Sequence, residues 1–188
     1  MIMELLIEER KYTVEEFLHH DYLDENSYYE LIEGEIVKKS APHYEHQRVS
    51  GKIFLKLQPY VITKKLGEIF YAPIDVYLDD LNFYQPDLVF VSESQKEILS
   101  EEGLIEGVPD LVIEILSPST GKYDRGGKMR VYEQHNVKEY WIVDLANKII
   151  EVYIIENQRF DLYSYALSNE KIKSRLFEDL DLLVGDIF

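Results

Sequence analysis

Two short runs, residues 86–91 (PDLVFV) and 110–116 (DLVIEIL), restrict the fold of this chain more than any other part of it. Both are apolar at successive positions, the pattern of strands buried inside a sheet rather than wetted on one face. Each nevertheless carries an acid: Asp87 opens the first run and Glu114 lies late in the second. A carboxylate in an apolar strand is costly unless it is paired or bound to a cation. If the two strands are antiparallel neighbours, the start of one lies beside the end of the other. Asp87 and Glu114 then project together from one sheet edge. Two converging oxygen ligands suit Mg²⁺ (or Mn²⁺), with water and a substrate phosphate completing the shell. The plainer alternative is an Asp that caps a turn and a strand Glu that faces solvent or pairs with an arginine.

The flanking sequence supplies elements of both kinds. Thr13 and Glu16 have the spacing of a capping box opening a short helix, part of a helical lead-in over residues 1–28. Residues 29–40 read as strand, Gly34, strand. From His43 the period becomes helical: His46, Val49, Ile53 and Leu57 share one face, and Arg48, Lys52 and Lys56 form a basic stripe on another. Pro59 is expected to end or kink this helix. Residues 68–78 read as one strand interrupted by Pro73, residues 95–102 as a short helix and 125–135 as a second core helix. Residues 139–143, 149–155 and 159–166 make a strand-rich C-terminal part. No repeat or linker marks a boundary, so the expectation is a single domain over residues 1–188.

Composition narrows the chemistry. The chain has no cysteine, so a metal must be held by Asp, Glu, His or carbonyl oxygen. The apolar patch Leu5–Ile7 lacks a basic start, and no stretch is long enough to span a bilayer, which implies a cytoplasmic protein without membrane contact. The formal charge of −16 opposes nucleic-acid binding. The cations are segregated, however: residues 38–65 contain seven against Glu45 alone, and residues 122–130 contain four against Asp124 alone. Such clustering can leave a basic surface on an acidic protein, or simply a solvated lysine face.

The stretches YELIEGEIV, QPDLVFV, PDLVIEILSPST, the DRGGK run and VKEYWIVD closely resemble a large bacterial family of restriction-endonuclease-like proteins of the PD-(D/E)XK nuclease superfamily. The resemblance runs from Thr13 to the closing GDIF. It implies an α/β (α+β) fold with the restriction-endonuclease-like core, a central mixed β-sheet flanked by helices. It also implies a Mg-dependent endonuclease that hydrolyses DNA, with Asp87 and Glu114 as metal-binding acids. In the general E-X-K motif a lysine follows the glutamate by two, but Leu116 stands there; the family's lysine has moved to the next helix, which matches Lys128. Lys122 is the runner-up. Glu30 and Glu35 resemble acids that precede the main helix and could support the site, or could be surface positions of a strand. His46 could reach the site or serve structurally. Arg48, Lys52, Lys56 and Arg125 are the expected contacts to the nucleic-acid backbone, and cutting both strands with one site per chain would favour a homodimer.

Several similar-looking features carry less. Asp110 also follows a proline but precedes Glu114 on the same strand, where turn capping is the better reading. His43 and His46 lack further zinc ligands. Residues 121–128 have one residue too many for a phosphate loop, and Met129 replaces its Ser/Thr. His19, His20 and Asp21 lie in a polar loop. The rival functions are a catalytically silent binding module with the same fold and a hydrolase of another phosphoester.

Overall fold

The computed structural model describes residues 10–20, 27–118 and 120–188. The patch Leu5–Ile7 and Asp21 lie outside them. Helix α1 (Val14–Leu18) is short and starts with the expected reciprocal capping of Thr13 and Glu16. Strands β1 (Tyr28–Ile32) and β2 (Glu35–Lys39) form a tight antiparallel hairpin. Its two turn residues, Glu33 and Gly34, both have positive φ, as two-residue hairpins require.

Helix α2 (Tyr44–Lys64) presents His46, Val49, Ile53, Leu57 and Val61 to the interior, the expected face extended by one turn. Pro59 does not end it. The proline is exposed, and the turn beyond it buries Val61 in the core. Burying a valine is worth about 1.5–3 kcal/mol, comparable to the roughly 3 kcal/mol that an interior proline costs. The helix closes at Lys65, which adopts the left-handed conformation.

The single strand expected over residues 68–78 is two strands in different sheets, β3 (Gly67–Tyr71) and β4 (Val76–Asp79). The chain turns at Pro73, which cannot donate a ladder hydrogen bond. Then follow β5 (Asn82–Tyr84), β6 (Leu88–Ser92), a 3₁₀ turn (Glu93–Ile98) in place of the helix expected at 95–102, β7 (Ile105–Glu106) and β8 (Leu111–Ile115). The helix expected at 125–135 is broken into α3 (Gly121–Asp124) and α4 (Gly127–Gln134). Gly126 makes the break. Its backbone passes so close to the preceding turn that an added Cβ would lie 2.7 Å from the Lys122 carbonyl oxygen. Strands β9 (Glu139–Asp144), β10 (Ile149–Glu156) and β11 (Arg159–Leu167) match expectation, and α5 (Val184–Ile187) ends the chain.

The described strands form a six-stranded sheet, β11-β10-β9-β8-β6-β3, and a five-stranded sheet, β2-β1-β5-β4-β7. The first is mixed: β8 and β9 are parallel, and the other neighbours are antiparallel. One face packs Leu88, Phe90, Leu111, Ile113 and Trp141 under α2 and the C-terminal Phe177 and Ile187. The other packs Val89, Val112, Tyr140 and Ile142 against Val131 and Tyr132 of α4 and against Ile32, Val76 and Tyr84 of the smaller sheet. Cover on both faces is why β6 and β8 are apolar apart from Glu114 and the terminal Ser92. No helix among the described residues is long and apolar enough to cross a membrane.

Candidate functional site

Strands β6 and β8 are antiparallel with Leu88 opposite Ile113 and Val89 opposite Val112. Asp87 immediately precedes Leu88 at the end of the pair where Glu114 follows Ile113, and Glu114 meets α4 through Lys128 and Tyr132. Asp87 lies where β6 begins, and its Oδ2 accepts the Ile115 backbone N–H at 2.7 Å. The Nε2 of His46, from the first turn of α2, sits 3.1 Å from the same carboxylate oxygen and 3.1 Å from the Ile115 carbonyl oxygen. Burial alone would raise the Asp87 carboxyl. The hydrogen bond and charge of His46, the Lys39 ammonium and the Ile115 N–H outweigh it and leave Asp87 below its ordinary value. Burial likewise works to lower His46, and Asp87 more than compensates, so the imidazole is raised.

Lys128 is fully buried on the inward face of α4, together with Val131 and Tyr132. Its Nζ donates to Glu114 Oε1 at 2.8 Å and to Glu30 Oε1 at 2.9 Å, and lies 3.6 Å from Asp124. Burial acts to lower this lysine, but Glu114, Glu30 and Asp124 together hold it well above the ordinary value. Glu30 also accepts from Lys39 Nζ and from the Gln85 N–H. It stays lowered because the two lysines and these hydrogen bonds overcome its burial. Tyr132 donates to Glu114 at 3.1 Å.

The cluster is not balanced. Four buried carboxylates (Glu30, Asp87, Glu114, Asp124) are met by one buried ammonium, by Lys39 at the margin and by the raised His46 imidazole beside Asp87. Glu114 takes the strain. Burial and the neighbouring Asp124, Asp87 and Glu30 push its carboxyl up to about 8 despite Lys128. Asp124 is raised as well, chiefly by burial, and its Oδ1 is buried without a hydrogen bond. Such a surplus of negative charge is what a cation relieves. The donors nearby are the hard oxygens of the Asp87 and Glu114 carboxylates and the Ile115 carbonyl, with the His46 imidazole already engaged by Asp87 and Ile115. No group of three or more acidic or histidine side chains able to hold a metal occurs among the described residues. The two carboxylates Asp87 and Glu114 are the residues that would hold a small divalent ion, since magnesium commonly takes one or two carboxylates with water and phosphate in the remaining positions. Asp87, Glu114 and Lys128 all line an open cavity of about 1040 Å³.

A family model named Uma2 and described as "Putative restriction endonuclease" matches residues 14–185. The chain belongs to the Uma2 family. An uncharacterised Synechocystis protein (sll1609) is 25% identical over 126 residues, which is 66% of this chain and 70% of that protein. A second uncharacterised Synechocystis protein (slr1290) is 49% identical over 47 residues, 24% of each chain. The fold is shared with the crystal structure of "a putative nuclease belonging to DUF820" from Anabaena variabilis. The TM-score is 0.76 at 22% identity, covering 94% of this chain and 97% of the other.

Of the residues singled out from sequence, this Uma2 chain brings Asp87, Glu114, Lys128, Glu30 and His46 together. Glu35 is exposed on β2 and lies outside the cavity, because it starts the strand after the hairpin turn. Lys122 is exposed and stacks over Tyr123, so Lys128 is the lysine of the cluster. The basic stripe of α2 does not reach the cavity. Lys52 donates to the Phe188 carbonyl at 2.9 Å, Lys56 pairs with Asp186 at 2.9 Å, and Arg48 lies 3.7 Å from Glu45. Arg125 does line the cavity, but its guanidinium is engaged by both carboxylate oxygens of Glu151. Asp124 and Lys39 belong to the site and are not evident as such in sequence. Asp124 resembles an ordinary i−4 partner on a helix, and Lys39 one more member of a basic run. Asp110 is structural: it accepts from the Ser92 N–H and from Lys138 at the opposite end of the strand pair.

Proposed function

We propose that the chain is a divalent-metal-dependent nuclease hydrolysing DNA phosphodiester bonds, with Asp87 and Glu114 as metal ligands and Lys128 as the catalytic cation. The observation that carries this reading is the convergence of two strand carboxylates and a buried lysine on the floor of one open cavity. Bound Mg²⁺ or Mn²⁺ would supply Lewis-acid polarisation of the phosphate and a more acidic attacking water. The chain's own groups supply the rest. Lys128 stays protonated at any ordinary pH, so it acts as a fixed ammonium beside developing phosphate charge and not as a base. Glu30 holds that ammonium from behind, and Tyr132 and Lys128 orient the Glu114 carboxylate. His46 and the Ile115 N–H fix the Asp87 carboxylate.

The test is cleavage of circular DNA, supercoiled and single-stranded, with Mg²⁺ or Mn²⁺ and with chelator. Wild type should cut only with metal, and Asp87→Asn should not cut while keeping its circular dichroism. Cleavage by Asp87→Asn at the wild-type rate contradicts the assignment.

A further inference from the structure

The cavity combines two chemistries. Its floor is the charged cluster, but its walls are largely apolar: Pro42, Pro73, Leu116, Pro118, Leu145 and Ala146 all line it. They come from separate segments, before α2, after β3, after β8 and after β9, so the apolar ring is a property of the assembled fold. Two aromatic side chains, Tyr28 and His43, also line it, and Tyr28 is 53% exposed. The volume is that of a pocket for a small organic group, at the top of the range of about 300–1,000 Å³ usual for such sites.

Gripping a duplex needs something else. Duplex affinity comes mainly from cations that neutralise backbone phosphates. Three of the four expected contacts, Lys52, Lys56 and Arg125, are engaged within the chain. Arg48 lies outside the cavity, 3.7 Å from Glu45, and two further cations are also paired. Lys52 is bonded to Phe188, Lys56 to Asp186, Arg125 to Glu151, Arg130 to Glu33 and Lys39 to Glu30. The formal charge of −16 adds repulsion at long range. A duplex also hides its bases in the stack, where apolar walls gain nothing from them. An unpaired strand offers base faces, and bases stack on aromatic side chains without sequence preference.

We infer, resting on the nuclease reading above, that the substrate is an unpaired nucleic-acid strand, with one unstacked nucleobase seated among the apolar walls so that its phosphodiester reaches Asp87, Glu114 and Lys128. The pocket supplies through the base the affinity that the acidic surface withholds from the backbone.

The experiment uses one labelled oligonucleotide as a free strand, as a duplex and as a strand of the same length lacking its bases. Cleavage is measured with Mg²⁺ and Mn²⁺, and binding by anisotropy with Ca²⁺ in place of the active metal. The free strand should be cut at least about tenfold faster than the duplex and should bind about tenfold tighter than the abasic strand, the gain expected of one stacked base. Tyr28→Ala, a change at an exposed side chain, should weaken binding of the base-bearing strand several-fold and leave the abasic strand unaffected. A duplex cut as fast as the free strand, equal binding of the abasic strand, or an equal loss for both strands in Tyr28→Ala overturns this inference and leaves the nuclease reading standing. Cleavage of neither strand nor duplex with either metal removes the nuclease reading, and this inference with it.

Discussion

The two ends of the β6–β8 strand pair and its neighbour β9 both bury acids, and they treat them in opposite ways. At the far end from the cavity, Glu139 accepts from the Trp141 indole at 2.6 Å and from the Arg175 and Leu176 N–H groups at 2.9 and 3.1 Å. Asp110 there takes the Ser92 N–H and the Lys138 ammonium. Burial raises Glu139, but its oxygens are occupied by donors that exist only in the folded chain. At the cavity end, Glu30, Glu114 and Asp124 share one buried ammonium, one oxygen of Asp124 has no hydrogen bond, and Glu114 is pushed up to about 8. Burial alone does not mark a functional acid. The mark is an unbalanced charge beside solvent, left for a ligand to complete.

The two ends should therefore respond differently to substitution. Lys128→Ala should lower nuclease activity by roughly 10²–10³-fold, the loss typical of one charge-stabilising group. In the metal-free protein at neutral pH it should also cost about 3–5 kcal/mol in urea unfolding, because it strands the buried Glu30, Glu114 and Asp124 carboxylates. Glu139→Ala should cost stability alone. It strands an indole N–H and two backbone N–H groups, and should cost about 3 kcal/mol in urea unfolding. The specific activity of the folded fraction should be unchanged. Loss of activity without loss of stability in Glu139→Ala would erase the distinction between the ends.

The pH dependence of stability sharpens it further. A carboxyl whose folded value lies above its unfolded value holds a proton that unfolding would release. The metal-free protein should therefore lose stability as pH rises from about 4.5 toward about 8, the unfolded and folded values of Glu114. Asp124, also raised, acts in the same direction. Asp87 and Glu30 are lowered and contribute stability that is lost on the acid side of that window. Glu114→Gln should flatten the decline between pH 5 and pH 8, read from thermal melts; an unaltered slope would mean that Glu114 is not the strained group. The smallest effect is expected for Lys56→Ala. Its ion pair with Asp186 is about half exposed, worth at most about 1 kcal/mol, and the salt dependence of nucleic-acid binding should not change.

The parts of this arrangement that were legible in the sequence are those set by local pattern. Asp87 and Glu114 stand out because an acid inside an apolar strand has few cheap explanations, and the antiparallel register then places them together. Lys128, Val131 and Tyr132 share a face by helical spacing alone, although the lysine's place in the site first came from family resemblance. What escaped was set by packing between distant segments. The stripe of Lys52 and Lys56 is real as a stripe, but only the fold shows the C-terminal residues Asp186 and Phe188 meeting it. Pro59 stays within α2 because Val61 finds a core beyond it. Gly126 splits one expected helix because its backbone must pass close to Lys122. Asp124 differs from a surface i−4 partner only by being buried, which no local spacing reports.

The central claim, that the cavity end of the strand pair is a cation site, is tested most directly by calorimetric titration of Mn²⁺ at pH 7. Wild type should bind and release protons, because Glu114 at about 8 carries a proton that a metal must displace. Asp87→Asn and Glu114→Gln should abolish the binding, and Asp110→Asn should leave it intact. Mn²⁺ binding that is absent from wild type, or unchanged in both Asp87→Asn and Glu114→Gln, would contradict the account.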